Sequence, residues 1–263
     1  MTGRDERIQS TETSFEIIHA LQERGPSRLS EIAAALDLAE STTHRHLNTL
    51  ADLRYVSRAG ERYQIGLRFA RLGRAAQTRD PAYRMAEPYV RTLAEETEER
   101  AQFVVEDHGL GIYLFMETGS RAVRVGFGVG RQIHLHCSSA GKAILAHYPR
   151  ERVDAILDRW GLPAHTENTI TDREALYGEL ERVRERGFAY NRQEHIRGLN
   201  AAAVPVQREG SVLGVLSVSG PSHRLKGERF EREIPDTMLA TANELELNVL
   251  YADGDSAEDH VVE

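Results

Sequence analysis

Apolar positions follow two regimes along the chain. Through the first hundred residues they recur at helical spacing; beyond Ala101 they come in short runs and alternations. Ile8, Thr11, Phe15, Ile18 and Leu21 form one stripe and predict a helix over Ile8–Arg24, closed by Gly25-Pro26. Ser27 is placed to cap a second helix, along which Leu29, Ile32, Ala33 and Leu36 recur. Asp37–Glu40 cannot extend that stripe and predicts a turn, after which Ser41 caps a third helix, Ser41–Leu53, with Thr43, Leu47, Leu50 and Ala51 on one side. Tyr55–Arg58 and Arg62–Ile65 are β-prone runs flanking Ala59-Gly60-Glu61, a hairpin signal. Leu67–Arg79 predicts a helix ended by Asp80-Pro81, and Ala82–Arg100 a long amphipathic one carrying Met85, Tyr89 and Leu93.

After Ala101 the runs Phe103–Val105, Ile112–Met116, Val123–Phe127 and Ile133–Cys137 predict strands. Helices follow at Ser139–His147, Arg150–Trp160 and Asp172–Arg186, the last capped by Thr171. Phe188–Asn191, Ala201–Val206 and Val212–Ser219 predict further strands, and Phe230–Leu250 a final helix with Pro235 in its first turn. The fold class is α+β, a helical start with a hairpin joined to about six antiparallel strands with helices against them. Such a sheet can close a small-molecule pocket on its concave face. The expected division is 8–66, a linker helix over 67–80, a second domain over 81–251, and an acidic disordered tail over 252–263.

The outer face of the third helix has unusual chemistry for a solvated surface. Ser41, Thr42, Arg45, His46 and Thr49 share it, and no carboxylate joins them before Asp52. Hydroxyls, a guanidinium and an imidazole hydrogen-bond phosphates and base edges. Two short helices with a tight break, followed at once by a hairpin, make a winged helix-turn-helix. Ser41–Leu53 is then the recognition helix, and Arg58 and Arg62 stand near the wing tip where they meet backbone phosphate. A pair of helices that merely pack would leave the Arg45 face unexplained.

Charge refines this picture. Residues 1–80 hold 12 Arg against 11 Asp and Glu, a net +1, which leaves −9 for the rest of a chain whose total is −8. The near-neutral part is the one expected to touch DNA. With so weak an electrostatic footprint, affinity must rest on a few well-placed arginines and on dimerisation. No apolar run approaches the ~20 residues that span a bilayer, and MTGRDERIQSTE has no apolar signal core, so no membrane partner is expected. The single cysteine, Cys137, excludes an intramolecular disulfide and fits a reducing cytoplasm.

Rival chemistries are few. His134-x-His136-Cys137 carries three potential metal ligands, with His195 the only plausible distant partner; this defines an alternative, a metal- or redox-responsive regulator. The leading expectation has no metal, no cofactor and no catalytic residue. Gly141-Lys142 fails as a phosphate loop because His136 occupies the first glycine position and Ala143 the hydroxyl position. Gly214–Gly220 is spaced too widely about Ser217 for a nucleophile elbow.

Four segments together resemble the IclR family of transcriptional regulators: ESTTHRHLNTL, LHCSSAGKAILA (Leu135–Ala146), GFAYNRQEHIRGLNAAAVPV (Gly187–Val206) and LSVSGP (Leu216–Pro221). The resemblance runs from about Ile8 to Leu250. It implies a homodimer or homotetramer on a palindromic double-stranded operator, a GAF-like effector-binding domain, and a small effector, often a carboxylate from carbon catabolism, whose genes such regulators commonly repress. The effector pocket it implies has walls at Ser138, Ser139, Ala140 and Gly141, at Asn191, at Ala201, and at Ser217 and Ser219. Free amides over Ser139–Gly141 and the two strand hydroxyls would then hold an anion without a buried cation. Asn191 stands where some relatives carry Asp, and Ala201 where some carry Cys.

Overall fold

The computed structural model describes residues 7–122 and 128–258, with side chains as far as Ala252. It divides into two compact units, Met1–Ala76 and Gln77–Glu263.

The first unit is built from α1 (Gln9–Arg24), β1 (Ser27–Arg28), α2 (Leu29–Ala35), α3 (Glu40–Asp52), β2 (Val56–Ala59) and β3 (Arg62–Ile65), followed by α4 (Arg68–Gln77). Its core is the meeting of the predicted stripes: Ile17 and Leu21 of α1, Ile32 of α2, Leu47 and Leu50 of α3, and Val56 and Tyr63 of the hairpin. Strands β2 and β3 pair antiparallel about a two-residue loop, where Gly60 takes the positive φ of 63° that this turn demands. Strand β1 adds to the other side of β3.

Two expected caps are elsewhere. Ser27 lies in β1 and its hydroxyl donates to Gly25 O; α2 is instead closed by Glu31, whose carboxylate accepts the Arg28 amide at 2.8 Å. Helix α3 begins at Glu40 on Ala39, ahead of Ser41. Asp37 adopts φ 53°, which its short polar side chain tolerates, and so turns the chain before Ser41 is reached.

The second unit opens with α5 (Pro81–Thr97), capped by Asp80 through a 3.0 Å bond from the Ala82 amide. The helix stops at Thr97 rather than Arg100, because Glu98 turns left-handed at φ 57°. Then follow β4 (Arg100–Asp107), β5 (Leu110–Thr118), β6 (Gln132–His134), α6 (Ser139–Leu145), α7 (Arg150–Trp160), α8 (Arg173–Arg186), β7 (Ala189–Arg192), β8 (Leu199–Arg208), β9 (Ser211–Pro221), a π-helical turn at Arg229–Glu233 and α9 (Ile234–Glu258). The strand expected at Val123–Phe127 lies outside the described residues, as do 259–263. Asp172, not Thr171, caps α8, accepting the Ala175 amide at 2.9 Å. Helix α9 continues past Leu250 through the first part of the expected disordered tail. Acidic composition argues for disorder, but extending an existing helix costs far less than starting one.

Six strands form one antiparallel sheet in the order β6-β5-β4-β9-β8-β7. Successive residues of a strand face opposite sides. Phe103, Val204, Leu216 and Val218 pack on one side with α5 and α9 residues such as Val90, Leu93, Met238 and Leu245. Val104, Ala203 and Val215 pack on the other with Ala143, Ile144, Leu157 and Leu180 of α6–α8. Among the described residues no helix is long and apolar enough to cross a membrane.

Candidate functional site

Helix α3 buries Thr43, Leu47 and Leu50 and turns Ser41, Arg45, Asn48 and Asp52 outward. Among the described residues, the Arg45 guanidinium and the Ser41 and Thr42 hydroxyls have no hydrogen-bond partner. Thr49 donates back to Arg45 O at 3.0 Å. His46 sits on the flank, its Nδ1 2.8 Å from the Ser14 hydroxyl, so this ring ties α3 to α1. Asn48 and His44, 3.3 Å apart, extend the outward polar face and were not singled out from the sequence.

The wing arginines differ from each other. Arg62 donates to Pro26 O at 2.8 Å and lies 3.4 Å from Glu31, which engages it inside the unit. Arg58 is exposed, bonded to its own turn at Gly60 O and resting against the Tyr63 ring. It shares a groove with Arg54, Arg68 and Arg71, and no carboxylate lines that groove. Arg68 is itself anchored on Leu53 O and the Tyr55 ring. Arg54, Arg68 and Arg71 escaped the sequence reading because they belong to no periodic face.

In the second unit the positions implied by resemblance come together on the α6 side of the sheet. Asn191, Ala201 and Ser219 are register partners across β7, β8 and β9, and the row continues to Arg100 of β4. One row along, Ala203, Ser217 and Gln102 pair in turn. Neighbours in such rows have Cβ atoms about 4.5–5.5 Å apart. Gln102 Nε2 donates to Ser219 Oγ at 2.8 Å, which leaves the Ser219 proton available, and Ser217 donates to Ala202 O. Asn191 braces the wall opposite: its amide donates to Cys137 O at 3.2 Å and accepts the Glu194 amide at 2.8 Å.

Arg100 was not among the residues expected on this face. It is 3 % exposed and burial pushes its guanidinium below the ordinary value, with the neighbouring Tyr113 opposing. The same burial drives Tyr113 up to about 12. Reading Arg100 as the end of a helix hid it. The amides expected to be free at Ser139–Gly141 are also partly engaged: Ser138 Oγ accepts the Gly141 amide at 3.0 Å. Gly141 has a different duty, since a Cβ there would lie 2.1 Å from Leu135 O.

Behind this wall lies a buried charge network. Lys142, 1 % exposed, places Nζ 2.6 Å from both oxygens of Glu194 and 4.0 Å from Glu179. Glu179 also takes Arg182 and Arg186. The carbonyl of Glu194 accepts the hydroxyls of Thr169 and Thr166, which ties the α7–α8 loop to the β7–β8 loop. At the junction of these loops four imidazoles gather: the His134 ring lies 5.7 Å from His136 and 5.5 Å from His165, and His165 lies 5.2 Å from His195. Desolvation lowers His134, takes His136 and His195 down to about 4, and raises Cys137 to about 12.

A winged helix with an outward arginine face, followed by a sheet domain with a buried polar face, defines a transcription regulator with a sensing domain. The family described as Bacterial transcriptional regulator IclR C-terminal matches residues 75–247, and the IclR helix-turn-helix domain matches residues 10–60. The chain belongs to the IclR family of transcriptional regulators. It is 30 % identical to the probable HTH-type transcriptional regulator ArcR of Halobacterium salinarum, over 94 % of this chain and 96 % of that protein. The crystal structure of Thermotoga maritima IclR superposes with a TM-score of 0.78 at 25 % identity, covering 92 % of this chain and 99 % of that one. The inducer-binding domain of a double mutant of PobR from Acinetobacter, solved with 3-hydroxybenzoic acid, gives a TM-score of 0.58 at 25 % identity, covering 62 % of this chain and 96 % of that one.

Proposed function

We propose that the second unit senses a small organic acid and thereby sets the affinity of a dimer for a palindromic operator. The observation that carries this reading is the buried Arg100, in register with Ser219, Ala201 and Asn191 beneath α6. A guanidinium held out of water adds a positive potential that favours a carboxylate in a low-dielectric setting. Ser219 supplies a hydroxyl donor and Gln102 fixes its orientation. The wall from Ser138 to Gly141 and the Asn191 brace close the other side. A small hydroxylated carboxylate of the kind in the PobR domain has the matching chemistry. Binding shifts the DNA-binding equilibrium only by its differential affinity for two states, about 1–3 kcal/mol in typical systems. The route is the connecting helix α4.

A thermal-shift screen of organic and sugar acids identifies the effector. Arg100→Gln and Ser219→Ala are then expected to weaken effector binding about tenfold or more while operator affinity without effector is retained. Unchanged response in both variants would place the effector elsewhere.

The wing gives an independent prediction. Arg58→Ala is expected to weaken binding to operator and random DNA alike and to reduce the salt slope by about one unit. Arg62→Ala should change the salt slope less, because Arg62 is engaged with Pro26 and Glu31. Filter binding across a salt series reads both.

A further inference from the structure

We propose that His136, Cys137, His165 and His195 bind one divalent transition-metal ion of the zinc class beside the sensing face. One ligand atom from each of His136, Cys137 and His165 lies within 4.8 Å of the other two. Nδ1 of His195 is 3.6 Å from the Cys137 sulfur. Zinc bonds of about 2.0–2.1 Å to nitrogen and 2.3 Å to sulfur put tetrahedral ligands about 3.4–3.8 Å apart. The sulfur–imidazole pair already has that spacing, and His165, the most exposed of the four, sits in a loop.

The surroundings suit a ligand set. His136 Nε2 donates to Pro163 O at 3.1 Å, which fixes the tautomer and leaves Nδ1 with its lone pair. Backbone-carbonyl partners of this kind orient metal-binding histidines. Three nitrogens and one sulfur, with no carboxylate among them, select zinc, cobalt or nickel over magnesium and calcium. On binding, the Cys137 S–H bond breaks as the sulfur–metal bond forms, and the proton passes to solvent. His134, which the sequence offers beside His136 and Cys137, is not one of the four. The strand ends at His134, and the chain turns there to bring His136 and Cys137 to the loops that carry His165 and His195. His134 packs beside His136 and His165 at the edge of the cluster.

Such an ion would join three segments: the approach to α6, the α7–α8 loop and the β7–β8 loop. Two of them carry the wall of the sensing face, through Cys137 O and Asn191. The site itself does not depend on the organic-acid reading.

The test is titration of the full-length, metal-stripped protein with Co²⁺ under reducing conditions. Expected are one equivalent bound, tetrahedral d–d bands and a sulfur-to-cobalt charge-transfer band. Cys137→Ser should abolish the charge-transfer band. His165→Ala, a change at an exposed loop position that leaves the core intact, should weaken affinity about tenfold or more. His19→Ala, at an exposed histidine of α1 in the first unit, should change nothing. Absence of the charge-transfer band in the parent, or equal affinity in the parent and His165→Ala, would overturn the proposal.

Discussion

Arg45→Ala is expected to weaken operator binding by about 1–3 kcal/mol, roughly fivefold to 150-fold, with the fold intact. The fold should survive because the Arg45 side chain is exposed and has no polar partner within the described residues. The loss should be large because Arg45 sits mid-helix at the centre of the outward face, one turn from Ser41 and Thr49. A guanidinium there can fork onto a guanine edge, the commonest specific contact in a major groove. His46→Ala makes the informative contrast. His46 is tied to Ser14, so its loss should act through helix packing and lower thermal stability as well as affinity. Gel shifts on operator and scrambled DNA, with thermal melts of both variants, separate the two effects. Equal operator affinity in parent and Arg45→Ala would mean that another face of the helix reads DNA.

Lys142→Met should destabilise the second unit by about 3–5 kcal/mol, the usual penalty for removing one partner of a buried ion pair. Methionine nearly fills the space of the lysine stem, so the loss is electrostatic rather than a cavity. What remains is the Glu194 carboxylate, 6 % exposed, with Glu179 close by and no compensating ammonium. Glu194 also receives the Arg192 amide, and its carbonyl holds Thr169 and Thr166, so the strain spreads to both loops. The double variant Lys142→Met with Glu194→Gln should recover much of the loss, since a matched neutral pair is often tolerated where a broken one is not. Urea unfolding of the parent and both variants provides the measurement. A single-variant cost below about 1 kcal/mol, the scale of an exposed ion pair, would mean that the pair is effectively solvated.

Much of the architecture was legible in the sequence for a plain reason: the stripes at Ile18, Leu21, Ile32, Leu47 and Leu50 can be buried only together. The outward polar face of α3 was legible because the run from Ser41 to Ala51 lacks carboxylates, a feature that needs no long-range information. Caps were less legible. Ser27, Ser41 and Thr171 are good capping residues, yet in each case the helix is capped one or two residues away from them. Which residue breaks helical geometry depends on the turn before it, as Asp37 shows. Arg100 was hidden for the same reason. Glu98 ends α5 in a left-handed conformation without the glycine that usually announces it.

The charged and metal-binding features were concealed by distance along the chain. Lys142 and Glu194 are brought together by the packing of α6 over β7 and β8, and neither segment alone predicts the other. His165 lies in a loop with no periodic pattern, so only its place beside His136 and Cys137 gives it meaning. The four positions Asn191, Ala201, Ser217 and Ser219 were accessible through resemblance, but their rows in the sheet depend on strand register. Register is a property of pairs of strands, and a single strand does not state it.

Among the described residues, the ends of the six-stranded sheet are unequal to its middle. Strands β8 and β9 run from Leu199 to Pro221, whereas the outermost strands are only Gln132–His134 and Ala189–Arg192. Each rim therefore offers few unpaired amides and carbonyls to a passing chain, which is how natural sheets resist unwanted strand addition. A regulator must linger at low concentration, often without its ligand, and still stay soluble. Copies of this protein have little opportunity to zip sheet to sheet. Any contact between copies would fall to side chains on helical faces.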